Sequence, residues 1–180
     1  MSILKPENLI YLRGVNSLLE AFEKSKNPEE AFKEAIKKNE VLEQNEERKI
    51  ELVRTLRLLQ LLLERAVQAR KMFREGVISK NEYWRSMRIT YKDAAIELNN
   101  RWNLDICTKG NRLGRHLGTL AGYINYGAFV GSKPLFGGLL VRKDTLKPGP
   151  GFENLVEKIG LELSYRVEED VNNYLEKLGF

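Results

Sequence analysis

Apolar side chains divide the first half of the chain into helices. Leu9, Ile10, Leu12, Val15, Leu18, Leu19 and Phe22 recur at spacings of three and four, the period of one helix face, with Gly14 as its weak point. Asn27-Pro28-Glu29-Glu30 opens a second, short helix that ends near Asn39. It has an asparagine cap, a proline at the first helical position and acids in the first turn. From Val41 to Phe73 no glycine or proline interrupts the pattern. Leu52, Leu56, Leu59, Leu63, Ala66 and Phe73 keep alternating steps of four and three, broken at Arg70, and Val53, Leu58, Leu61, Leu62 and Val67 widen the stripe. A stripe wider than a two-residue seam suits a bundle core or a dimer interface. Packing within the chain and a homodimer through this 41–73 helix are equal alternatives at this point.

Glu75-Gly76 closes the long helix. Ser79-Lys80-Asn81-Glu82 has capping-box spacing and starts a helix through Met87, with Tyr83 and Trp84 on its core side. The expected boundary lies at Gly76. Residues 1–76 form a helical region for packing and oligomerisation, and residues 77–180 form a second domain.

In that second domain Ile89-Thr90-Tyr91 is a short β-prone run. A helix follows from Lys92, capped by Thr90 or Asp93, with Ala94, Ala95, Ile96 and Leu98 on its apolar face. A long turn from Asn99 to Thr108 carries Trp102, Leu104 and Ile106 as core contacts. Thr108 caps a further helix reaching Tyr123, whose inward face is Leu113, Leu117, Leu120 and Ile124. Its outward side holds Lys109, Asn111, Arg112, Arg115, His116 and Thr119, donors and cations of the kind that meet base edges and phosphates in a major groove. Gly114 and Gly118 each cost a helix about 1 kcal/mol relative to alanine. Close approach of another helix or of a DNA backbone would account for them. Leu135 to Val141 reads as a strand that enters a hairpin tip, where Arg142, Lys143 and Lys147 sit among turn formers and would contact phosphate. Helices follow at Phe152 to Ile159 and Val167 to Leu175. The expected fold is mostly α with a small β-hairpin: a helical N-terminal region followed by a winged helix-turn-helix.

Charge sharpens this expectation. The chain has 30 Lys and Arg against 25 Asp and Glu, a net +5. The excess sits on residues 76–152, while residues 153–180 are acidic. Such asymmetry argues about partners, here double-stranded DNA. With 42% hydrophobic and 31% charged residues the chain reads as folded rather than disordered. No segment reaches the roughly 20 apolar residues of a membrane span. No basic start followed by an apolar run marks a secretory signal. One cysteine, Cys107, makes no internal disulfide, and a cytoplasmic setting is expected.

The order ITY, then LGRHLGTLAGYI, then PLFGGLLVRKDTLKPGPGF resembles a module of bacterial and archaeal proteins, some of them near restriction systems or on mobile elements. The resemblance spans Ile89 to Phe152 and extends loosely along the helical tail. It departs from the module in its longer turn, Asn99 to Asn111. The same order is distantly similar to the DNA-binding domain of the alkylguanine-DNA alkyltransferases. Their reactive Pro-Cys-His-Arg segment would fall at Leu139 to Arg142, where this chain has neither cysteine nor histidine. The resemblance thus implies DNA binding without alkyl transfer, and a virus, plasmid or integrated element as source.

Candidate chemistry is sparse. His116 is the only histidine and has no companions at metal-ligand spacing. Cys107 lacks a histidine–acid pair, and Gly110 to Gly114 lacks the ending of a phosphate loop. No catalytic, cofactor or metal residue is expected. A protein–protein adaptor is the alternative reading. A nuclease or restriction component is the third, for which Asp93, Glu97 and Asp105 are the local carboxylates.

Overall fold

The computed structural model describes residues 5–161 and 165–180. They form a mostly helical fold with one two-residue strand pair. After a single 3-10 turn at Pro6–Asn8 come α1 (Leu9–Ser25), α2 (Pro28–Glu40) and α3 (Glu46–Arg74). Then follow α4 (Lys80–Met87), β1 (Ile89–Thr90), α5 (Tyr91–Trp102) and α6 (Gly110–Val130). A 3-10 turn at Phe136–Leu139 leads into β2 (Leu140–Val141), and α7 (Pro150–Lys158) and α8 (Val167–Lys177) complete the order.

The caps explain most of the boundaries. The Asn27 side chain accepts from the Glu30 amide at 3.1 Å, Ser79 from Glu82 at 3.2 Å and Thr90 from Asp93 at 3.2 Å, each satisfying an amide that the first turn leaves free. Asn45 caps α3 in the same way, accepting from Arg48 at 3.0 Å. The long helix therefore starts at Glu46 rather than at Val41, and Val41 and Leu42 lie exposed in the preceding turn. Thr108 does not cap α6. The helix starts at Gly110 with no side-chain cap and runs seven residues beyond Tyr123, to Val130.

α3 is the axis of the molecule. Leu52, Leu56, Leu58, Leu59, Leu62 and Leu63 are fully buried, on more than one face of the helix, because α1, α2, α4, α5, α6 and α8 all pack against it. Burial of each such leucine stabilises the fold by roughly 1.5–3 kcal/mol. The wide stripe that offered a surface to a second copy is thus occupied within the chain. The buried side chains form one cluster from Ile10 to Leu175, so the regions on either side of Gly76 share a core. α1 and α6 show how closely. The Asn16 side-chain amide donates to the Gly127 carbonyl at 2.9 Å, and a methyl group at Gly127 would lie 2.8 Å from the Val15 Cβ.

The expected β-hairpin is not formed. β2 pairs with β1 in parallel, Ile89 opposite Leu140 and Thr90 opposite Val141. Most of the run Leu135 to Val141 is a buried 3-10 turn instead of a strand. Two glycines are the reason. A Cβ at Gly137 would come within 2.7 Å of the Ala121 carbonyl, and one at Gly138 within 2.5 Å of Val167, so the turn presses against α6 and α8 where a side chain would hold it off. A returning strand is also missing. After a closed turn, with the Arg142 amide donating to Lys147 at 2.9 Å and the Leu146 amide to Arg142 at 2.8 Å, the chain enters α7 at Pro150.

Candidate nucleic-acid interface

The basic segment presents two elements to solvent, the N-terminal turns of α6 and the turn 142–147. α5 and α6 meet through a tight connection. Asn99 of α5 holds it by exchanging two hydrogen bonds with Ile106, at 2.7 and 2.8 Å, while Asn103 and Asp105 adopt left-handed backbone conformations. These bonds bury Ile106 against the core, with Trp102 and Leu104 half-buried beside it. They fix where α6 begins.

From that start, Lys109, Asn111, Arg112, Arg115 and Thr119 are exposed. Among the described residues the side chains of Lys109, Arg112 and Arg115 have no ion-pair partner. Exposed Arg13, Arg74 and Arg85 share this state, while other arginines are engaged within the fold. On α3, Arg57 pairs with Glu29 at 3.0 Å, Arg65 donates to the Arg88 carbonyl at 2.8 Å, and Arg70 donates to the Phe180 carbonyl at 3.0 Å. Arg88 pairs with Glu168 at 2.6 Å and Arg101 with Glu64 at 2.5 Å.

His116 differs from its neighbours. Its Nε2 lies 3.0 Å from Glu51 Oε1 of α3, so it belongs to the α3–α6 contact and leaves the outward set. Burial works to raise the Glu51 pKa, but the hydrogen bond and charge of His116, with Arg54 beside it, outweigh this and hold it below the ordinary glutamate value.

In the turn 142–147, Lys143 and Lys147 are exposed and their side chains are unpaired among the described residues. Arg142 reaches Asp144 at 3.1 Å. The turn leads toward α6: Pro148, Gly149 and Gly151 line one groove with Arg115 and Thr119. The structure therefore brings Arg115 and Thr119 to the chain that follows Lys147, whereas Lys109, Asn111 and Arg112 lie outside that groove, on the first turn of α6.

The groove itself, of about 800 Å³, escaped the sequence reading. Gly114, Gly118 and Gly122 line it at four-residue intervals along α6, and a Cβ at Gly114 or Gly118 would meet nothing within 4 Å. No helix comes within 4 Å of a would-be Cβ at Gly114 or Gly118. Their spacing is visible in the sequence, but the wall opposite, the start of α7, shows there only as turn formers at Pro148 to Gly151. Asn125, also on the groove, was hidden because α6 was expected to end at Tyr123.

The carboxylates of the nuclease reading do not gather. Asp93 and Glu97 border a second cavity of about 470 Å³ together with Arg65, Arg85 and Arg88. Among the described residues no group of His, Cys, Asp or Glu is arranged to hold a metal ion. Cys107 is half-buried and its thiol lies 3.3 Å from the Lys109 carbonyl. Among the described residues no helix is long and apolar enough to cross a membrane. Compared with family models, with curated proteins and with solved structures, the chain finds no match.

Proposed function

We propose that the chain binds double-stranded DNA, with the N-terminal half of α6 laid into a groove and the turn 142–147 on the flanking phosphates. In this reading the fold is a variant winged helix whose wing is reduced to a closed turn. The observation that carries it is the gathering of exposed cations on the start of α6 and the turn 142–147. Arg112, Arg115, Lys143 and Lys147 stand exposed, and among the described residues none of them has an acid partner. Long cations left unpaired on a helix that begins at the surface suit phosphate and base-edge contact.

The test is fluorescence-anisotropy binding to a random duplex across a salt series. Log K should fall linearly with log salt, with a slope of several phosphate contacts at about 0.9 per contact. Arg112→Ala and Arg115→Ala should each weaken binding by roughly 1–3 kcal/mol with unchanged thermal unfolding. Wild-type affinity in both variants would remove α6 from the interface.

A further inference from the structure

The cavity of about 470 Å³ beside the strand pair takes no part in the proposed duplex contact. Charges of both signs line it. Arg65 of α3 and Arg85 of α4 bring cations, and Asp93 and Glu97, one turn apart on α5, bring carboxylates. A third cation, Arg88, is paired with Glu168. The other four stay apart from one another. Among the described residues Arg65, Arg85 and Asp93 form no ion pair, and Glu97 reaches only Arg101, at 3.8 Å, while Arg101 itself is held closer by Glu64. Arg65 is the fixed point of the site. It is half-buried, and its Nη2 donates to the Arg88 carbonyl at 2.8 Å and the Ser86 carbonyl at 3.3 Å. These bonds set the plane of the guanidinium, yet its Nε is buried without an acceptor, a state rare enough to call for an explanation. Burial pulls the Arg65 pKa below the ordinary arginine value, and the charges of Glu97 and Asp93 act against this from beyond ion-pair distance. A guanidinium so oriented and partly desolvated, with no anion in contact, suits a carboxylate from outside the chain. The cavity also has an apolar side. Ile89 and Val141 are buried at the strand pair, and Ile96 and Leu146 stand 39% and 48% exposed beside them. Leu146 is held there by a left-handed backbone, φ 54°, which is uncommon for leucine.

These features narrow the ligand. The volume lies in the range of small-molecule sites. A simple anion drawn to the arginines would be repelled by Asp93 and Glu97, and a simple cation drawn to the acids would be repelled by the arginines. A molecule that carries both charges satisfies both sets. We infer that this cavity binds a small zwitterion, an apolar α-amino acid or dipeptide, with its carboxylate at Arg65 and Arg85, its ammonium at Asp93 and Glu97, and its side chain on Ile96 and Leu146. None of these residues belongs to the proposed DNA surface, so the site does not rest on duplex binding.

The experiment titrates the full chain, without DNA, with L-leucine, L-phenylalanine and L-leucyl-L-leucine by calorimetry. Saturable one-to-one binding of at least one of them is expected. Blocking either end of that ligand, by N-acetylation or by conversion of its carboxylate to the amide, should weaken binding about 10-fold or more. Arg85 and Asp93 are exposed, so Arg85→Ala and Asp93→Asn should keep the wild-type midpoint of thermal unfolding while each weakens binding. Asp93→Asn should also narrow the gap between the free and the N-acetylated ligand, which a loss of packing alone would not do. Leu146→Gly, which suits the left-handed backbone, should weaken the apolar ligand and leave the fold intact. The inference fails if none of the three probes binds saturably. It fails equally if the blocked forms bind as tightly as the free ones, a comparison that needs no variant. Wild-type affinity in both Arg85→Ala and Asp93→Asn would likewise overturn it.

Discussion

The glycines of α6 are chemically identical and do opposite things. Gly127 is small because α1 is pressed against it, with Val15 Cβ and the Leu12 carbonyl at 2.8 and 3.1 Å from a would-be Cβ. Gly118 is small with open space beside it. Gly127→Ala should therefore destabilise the protein by roughly 1–3 kcal/mol through overpacking. Gly118→Ala should stabilise it by up to about 1 kcal/mol through helix propensity, and denaturant unfolding separates the two. The sequence shows both as helix-weakening residues and cannot tell them apart, because the difference lies in what α1 and α7 do in space. His116 teaches the same lesson. Its position on a basic helix suggested an outward role, but its partner Glu51 is 65 positions away. Because the folded pKa of Glu51 is lowered, its ionised form stabilises the fold above the ordinary glutamate range. That contribution is lost as pH falls through the lowered value. Glu51→Gln should cost roughly 1 kcal/mol at neutral pH, and the gap to wild type should close in acid. A gap independent of pH would show that the contact stabilises by packing rather than charge.

At the scale of elements, helices were legible wherever local chemistry decided them. The caps at Asn27, Ser79 and Thr90 and the apolar stripes of α1, α3 and α6 are written in neighbouring residues. The strand pair was not legible. Leu135 to Val141 is apolar enough to read as a strand, and only the close approach of Ala121 and Val167 to Gly137 and Gly138 turns most of it into a buried turn. The hairpin failed for the same reason: β2 takes β1 as its neighbour, from the far side of α5 and α6. The exposed turn that replaces the wing still carries Lys143 and Lys147. In the duplex assay, Lys143→Ala and Lys147→Ala should weaken binding uniformly across sequences and reduce the salt slope by about 1 each. An unchanged slope would confine the interface to α6.

At the scale of the whole molecule, the boundary expected at Gly76 crosses a shared core. Besides the α1–α6 contact, Lys133 pairs with Glu23 at 2.6 Å and Tyr174 donates to Glu23 at 3.2 Å. Phe22 stacks on Phe180 with centroids 5.7 Å apart, and Arg70 donates to Asn172 at 2.6 Å. A fragment of residues 77–180 would expose Leu120, Ile124 and Val171, all fully buried in the full chain. It should show no cooperative thermal transition, whereas the full chain should unfold in a single one. A sharp transition in the fragment, with wild-type duplex affinity, would support the two-domain division.

The packing of α1 on α6 has a further consequence for the order of events at the ribosome. Asn16 and Gly127 are 111 positions apart. At synthesis rates of about 5–20 residues per second, α1 waits roughly 6 to 22 s for the surface that covers it. During that interval Val15, Leu18 and Phe22 have only α2 and α3 to shield them. The first three helices must therefore associate early and hold an unfinished apolar face, a stage at which chaperones and aggregation compete for the nascent chain.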